Sequence, residues 1–280
     1  MRTAIVTDTT AYIPQDVCDR LKIHRIPLSV VFGNESFKEE IELEATEFYE
    51  KMRKSKELPT TTQPSTGMFV ELFAELAKDY DAVISIHLSS GISGTYQGAA
   101  TAADLVENIK VYPYDSEISC MVQGFYVIEA AEMALAGREP AEIIARLDEL
   151  KKSTKAFFLV DDLTNLHKGG RLSGTQAMIG GLLQVKPILH FANKVIVPFE
   201  KVRTKKKAMN RIAELLGEDA KTGLPYRAVI IHGNREEEAL QWKKELEALY
   251  PNVEFSISYF GPVIGTHLGE GALGLGWMRK

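Results

Sequence analysis

Hydroxyl side chains collect in four short stretches of this sequence, and together they could hold a small anion. The densest is Ser89-Ser90-Gly91-Ile92-Ser93-Gly94-Thr95, with four hydroxyls and two glycines in seven residues. Glycines let a ligand approach the backbone closely, and N–H groups exposed at a strand-to-helix turn favour negative charge. The others are Asp8-Thr9-Thr10, Asp115-Ser116 and Thr60-Thr61-Thr62-Gln63-Pro64-Ser65-Thr66. Ser, Thr and Asp are also the preferred helix N-caps, so Asp8 and Asp115 read equally well as caps. The seven-residue stretch exceeds what one cap uses.

The patterns G-x-x-x-x-G-K-[ST] and strand-G-x-G-x-x-G are missing, which argues against a nucleotide. A triphosphate would also need a magnesium site and a cationic partner. Hydroxyls and backbone N–H groups suit a single carboxylate better. In the second half, His267 follows Thr266 in the glycine-rich stretch Gly261–Gly269, which reads as a turn after a strand. A lone histidine is more often structural or exposed. In such a turn it can donate one ring N–H to an anion while a neighbour fixes the other nitrogen. Leu166-His167-Lys168-Gly169-Gly170-Arg171 is a compact cationic turn, or else a solvated helix end closed by glycine. Arg203, Lys205, Lys206 and Lys207 put four cations at the start of a predicted helix, where the helix dipole disfavours them. They are a solvated charge run, or a docking face for an acidic partner centred on Arg203 and Lys205.

The elements that must position these residues follow from apolar patterning. Thr3–Thr7, Asp81–His87 and Ile109–Tyr114 read as strands, and Glu44–Lys54, Gly67–Tyr80, Gly94–Glu107 and Glu117–Ala136 have helical spacing. Strands apolar on both faces and separated by helices imply a buried parallel sheet, hence an α/β fold. Each strand runs into one of the polar clusters, and such clusters converge outside the carboxyl ends of a parallel sheet, where ligands bind. The Thr60–Thr66 run precedes its helix and belongs on the opposite rim unless it folds back; Pro59 and Pro64 suit a fixed loop that does so. After Gly137–Pro140 a charged helix spans Ala141–Lys152. A second series follows, with strands at Ala156–Val160, Lys194–Pro198, Arg227–Ile231 and Val253–Tyr259 and helices at Lys205–Leu216 and Glu236–Tyr250. The expected organisation is two α/β domains, 1–153 and 154–280, with a ligand site between them.

Composition narrows the function classes. The 280 residues are 45% hydrophobic and 25% charged, with net charge −5 and no broad basic stretch, so nucleic acid is not the expected partner. The N-terminal apolar run is too short for a signal peptide, and no window approaches the ~20 apolar residues of a membrane helix. A cytoplasmic location without stable membrane insertion is expected. Cys18 and Cys120 are isolated small hydrophobes, and six histidines without paired spacing offer no metal site. No cofactor is expected.

Taken in order, these motifs resemble the DegV family: Asp8-Thr9-Thr10, Thr61-Thr62-Gln63-Pro64-Ser65, Ser89 through Gln97, Asp115-Ser116, Lys168-Gly169-Gly170-Arg171 and Gly261 through His267. The resemblance implies a long-chain fatty acid bound between two α/β domains. It further implies a non-catalytic subunit that presents the lipid to an ATP-dependent fatty acid kinase, which makes the acyl phosphate. Carried over residue by residue, the carboxylate ligands would be Thr61, Thr62, Ser93 and His267. Asp8, Thr9, Gly94, Thr95, Asp115, Ser116, Arg171 and Thr266 would support the pocket. The family often has Ser where this chain has Thr62 and Thr9, and both changes keep a hydroxyl. Burying ~14 methylenes at about 0.8 kcal/mol each contributes on the order of 11 kcal/mol before ordering costs. A hydrogen bond to a charged head adds only about 1.5–3 kcal/mol. The acyl chain should therefore supply most of the affinity and the hydroxyls the orientation. Phe157, Phe158, Ile179, Leu182 and Leu183 are tunnel candidates, with ordinary core packing the competing assignment.

Two other readings compete. Ser93, Asp161 and His267 occur in the chain order of α/β-hydrolases, but G-I-S-G-T is not the G-x-S-x-G nucleophile elbow. A hydrolase acting on a lipid-like ester predicts covalent labelling of Ser93 by a fluorophosphonate; a binding protein predicts none. The other alternative is a carrier of a different amphipathic acid.

Overall fold

The computed structural model describes residues 1–174 and 186–280. The first half runs β1 (Thr3–Asp8), a 3-10 turn (Thr9–Ala11), α1 (Gln15–Leu21), β2 (Ile23–Ile26), β3 (Ser29–Phe32), β4 (Glu35–Lys38) and α2 (Ala45–Lys54). It continues with β5 (Thr60–Thr62), α3 (Thr66–Leu76), β6 (Ala82–His87), α4 (Thr95–Ala103), β7 (Lys110–Asp115), α5 (Cys120–Leu135) and α6 (Pro140–Lys151). The second half holds β8 (Lys155–Leu159), α7 (Thr164–Lys168), β9 (Lys186–Ala192), β10 (Val195–Val202) and α8 (Lys205–Ala220). β11 (Tyr226–His232), α9 (Glu236–Leu249), β12 (Val253–Tyr259), α10 (Pro262–Leu268) and β13 (Leu273–Arg279) complete it.

The first sheet is parallel, in the order β2-β1-β6-β7. Its central strands β1 and β6 are buried at every residue, because helices cover both faces. Strand alternation sorts their side chains. Ala4, Val6 and Val83 pack with Phe69, Phe73 and Ala99 of α3 and α4. Ile5, Ile84 and Ile86 point the other way, into a core shared with α5.

The second sheet has six strands, β10-β9-β8-β13-β11-β12, antiparallel except where β11 pairs with β12. On one face Leu159, Ile230, Leu275 and Trp277 pack against Ile212, Leu216, Trp242 and Leu246 of α8 and α9. On the other, Phe158, Leu189, Val229 and Met278 join the core around α5, so one apolar core spans the two large sheets. The α/β fold expected from patterning is what the chain adopts.

Some elements differ from the patterning. The Thr60–Thr62 segment is not a loop but an edge strand of a small antiparallel sheet, β4-β3-β5. Gly261–Gly269 is not a turn but helix α10, with Pro262 in its first turn. Its Gly265 packs so closely that a Cβ would stand 2.8 Å from both Phe48 and Tyr49. Glycine there permits helix packing, not a bend. Among the described residues no helix is long and apolar enough to cross a membrane.

Candidate functional site

A cavity opens between the second sheet, the start of α5 and the segments that follow β6 and β7. Apolar side chains dominate its walls, among them Val122, Phe157, Phe158, Phe260, Ile264 and Leu268. Thr61, Thr62, Ser93, Arg171 and His267 line the same cavity.

Each polar residue is placed by a different element. β5 pairs with β3, register Thr61 opposite Val30, which brings the threonine run over α10. Helix α10 carries His267 in its last turn, and Thr61 Oγ1 lies 2.9 Å from His267 Nε2. The other ring nitrogen, Nδ1, is buried and has no hydrogen-bond partner among the described residues. Gly169 lies beside it: a Cβ there would come within 2.5 Å of Nδ1. Burial and the nearby Arg171 guanidinium push the His267 pKa down to about 4, so the ring is neutral at pH 7. Arg171 follows α7 and turns inward, donating from Nε to the Ile92 carbonyl (3.2 Å) and from Nη1 to the Gly169 carbonyl (2.5 Å).

Ser93 stands just before α4, its Oγ 2.8 Å from Thr95 Oγ1 and accepting from the Thr95 N–H at 3.3 Å. The two hydroxyl loops are pinned together, because Gln63 Nε2 donates to the Gly94 carbonyl at 3.2 Å. A Cβ at Gly94 would collide with the Gln63 carboxamide, so only glycine admits this contact. Hydroxyl donors, a guanidinium and a neutral imidazole thus meet on an apolar cavity. That set can orient a carboxylate; it offers Ser93 no base, because His267 Nε2 contacts Thr61 instead.

A family model described as "Uncharacterised protein, DegV family" matches residues 2–280. The chain belongs to the DegV family. It is 62% identical over 281 residues to Protein DegV of Bacillus subtilis, with 100% of each chain covered. A crystal structure of DegV, described as a fatty acid binding protein from Bacillus subtilis, matches at a TM-score of 0.96 with 62% identity and full coverage of both chains. A fatty acid binding DegV family protein from Streptococcus agalactiae matches at 0.91 with 34% identity, covering 100% of this chain and 99% of that one.

Other predicted residues of this DegV-family chain lie away from the cavity wall. Asp8 is wholly buried and accepts from the Thr10 and Leu88 N–H groups (3.1 and 3.0 Å) and from Gln123 Nε2 (3.2 Å). It also contacts His87 Nδ1 at 3.0 Å. It is the cap and anchor of the loop, in keeping with the capping alternative, and not a lining residue. Thr9 donates to Glu39 at 2.7 Å. Ser116 donates to the Ile118 carbonyl at 3.0 Å, and Asp115 accepts from Ser90 and pairs with Lys194. Thr95 is buried behind Ser93, and Thr266 is buried with its hydroxyl on the Pro262 carbonyl (2.8 Å). On α8, Lys205 pairs with Glu238 at 2.6 Å, whereas Arg203 is exposed.

The hydrolase triad is not assembled: Asp161 is exposed and pairs with Lys186 (3.5 Å), while Ser93 and His267 contact other partners. A different serine-histidine-aspartate chain does exist. Ser85 Oγ is 2.6 Å from His87 Nε2, and His87 Nδ1 is 3.0 Å from Asp8, but all three side chains are wholly buried and none lines the cavity. It is a structural network. Phe157 and Phe158 line the cavity, whereas Ile179, Leu182 and Leu183 lie outside the described residues. Sequence reasoning missed Ser119, Cys120, Gly274 and Gly276 in the wall. The alternation of β13 held the signal for the glycines: Leu273, Leu275 and Trp277 face the outer core, leaving Gly274 and Gly276 towards the cavity.

Proposed function

We propose that this protein binds one long-chain fatty acid, with the carboxylate on Thr61, Thr62, Ser93 and His267 beside Arg171 and the acyl chain among the phenylalanines. The observation that carries the reading is the composition of one cavity wall: four hydroxyl residues (Thr61, Thr62, Ser93 and Ser119), a guanidinium and a neutral imidazole among otherwise mostly apolar side chains. The fatty acid binding described for the Bacillus subtilis and Streptococcus agalactiae proteins supports it. Arg171 supplies the counter-charge, being a guanidinium that stays cationic even when burial lowers its pKa.

In this reading the protein is not itself an enzyme. It holds the carboxylate for a separate ATP-dependent kinase subunit, whose own groups perform the phosphoryl transfer to an acyl phosphate. Arg203 is an exposed cation of the docking face, with Lys205 held beside it by Glu238. Solvent extraction of the purified protein, followed by mass spectrometry, tests the binding. About one equivalent of a long-chain acid, reduced in Ser93→Ala with Thr62→Ala, is expected. An empty extract and no uptake of added palmitate would overturn the reading, and one equivalent of another amphipathic acid would redirect it. For the kinase role, Arg203→Glu with Lys205→Glu should abolish coupling while leaving lipid uptake intact.

A further inference from the structure

We propose that Lys194, Ser89, Gly91 and Asp115 are positioning residues that seat the β9–β10 hairpin as a roof on the cavity, and that this seat sets the rate of lipid exchange. The rate claim rests on the fatty-acid reading; the seat itself does not.

The hairpin reaches beyond its sheet. β8 pairs with β9 only at Phe157 opposite His190 and Phe158 opposite Leu189, so the ribbon from Phe191 onward has no β8 partner. A two-stranded ribbon in water is marginal by itself. Yet this end of the ribbon carries Phe191 and Ile196, paired across the strands, and both line the cavity. One side of it is held by the Leu172–Ile196 bridge and by the Ser173 N–H on the Ile196 carbonyl (2.9 Å).

The tip is held by the hydroxyl motif. Asn193 and Lys194 form the turn in left-handed conformations (φ 49° and 72°), as a two-residue hairpin turn requires. Ser89 Oγ donates to the Lys194 carbonyl at 2.6 Å. Gly91 comes so close that a Cβ would collide with that same carbonyl. The Lys194 ammonium lies 3.0 Å from Asp115 and 3.9 Å from Glu117. Asp115 is itself fixed by the Ser90 N–H and hydroxyl (3.1 and 2.6 Å) and by the Glu117 N–H (3.0 Å). The seven-residue motif therefore divides its labour. Ser93 faces the cavity, while Ser89, Ser90 and Gly91, with Asp115 from the end of β7, grip the roof.

The test uses Lys194→Gly and Gly91→Ala in the full chain. Glycine at 194 favours the left-handed turn, so that variant removes the ion pair without damaging the hairpin's own geometry. Amide hydrogen exchange over residues 188–197 should rise about two- to fivefold in Lys194→Gly and further in Gly91→Ala, with β13 unchanged. Release of bound cis-parinaric acid in stopped flow should accelerate by a similar factor. Unchanged amide exchange in both variants overturns the seat. Faster exchange with unchanged release overturns the roof's control of the lipid. A wild-type protein that takes up no cis-parinaric acid contradicts the fatty-acid reading and the rate claim with it, and the amide exchange alone then decides the seat.

Discussion

Thr61 Oγ1 and His267 Nε2 stand 2.9 Å apart although 206 positions separate them in the chain. The contact joins the small sheet to the last helix of the second half, at the wall of a cavity bounded by both halves. A carboxylate held there would meet groups from three separate folding elements.

Thr61→Val keeps the shape of the side chain and removes the hydroxyl. A hydrogen bond to a charged group contributes about 1.5–3 kcal/mol, so palmitate affinity should fall about 10- to 100-fold. Isothermal titration measures it. Unchanged affinity would remove Thr61 from the carboxylate site.

His267 should make stability depend on pH and, if it holds the head group as proposed, binding as well. Its folded pKa of about 4 lies below the ordinary 6.5, so the folded state resists protonation. The stability it contributes is complete above pH 6.5 and is lost as pH falls through about 4. His267→Gln should flatten that part of a stability–pH curve. A bound carboxylate favours the imidazolium, so palmitate binding at pH 6 should take up protons. Calorimetry in buffers of different ionisation enthalpy would reveal the uptake, and its absence would separate His267 from the head group.

Asp8 should behave as a structural residue. Asp8→Ala strips partners from His87, Thr10, Leu88 and Gln123 in a fully buried network. The cost should be about 3–5 kcal/mol of unfolding free energy, with lipid affinity retained in the folded fraction. Urea unfolding beside a lipid titration checks both halves of that statement.

Glu39 supplies a second pH effect, in the opposite direction. It is fully buried, accepting from Thr9 (2.7 Å), Tyr12 (3.1 Å) and the Val263 N–H of α10 (2.9 Å). Burial raises its pKa to about 8 despite those bonds. A raised folded pKa means its stability contribution is present below pH 4.5 and lost as pH climbs through about 8. In Glu39→Gln this decline should vanish from thermal melts recorded between those values.

Much of this architecture was legible because burial writes itself into pattern. β1 and β6 are apolar on both faces, and the helices that cover them show three- and four-residue spacing. β13 was not legible: Leu-Gly-Leu-Gly has low strand propensity, and its glycines are there for close approach to Val122 and Phe158. β3 and β4 were overlooked although Gly33-Asn34 between them is a hairpin signal. Helix α10 looked like a turn because its glycines serve packing. At the site, residue types carried the carboxylate chemistry, but only topology brings Thr61 to His267. Asp8 and Asp115 could not be separated from Ser93 by type; what separates them is that their oxygens are engaged by Gln123, Ser90 and Lys194.

The most direct test follows palmitate isotopically labelled at its carboxyl carbon by NMR. One bound resonance is expected, saturating at one equivalent and moving in Ser93→Ala, Thr61→Val and His267→Gln. A bound resonance indifferent to all three substitutions, or no bound resonance at all, would contradict the proposed function.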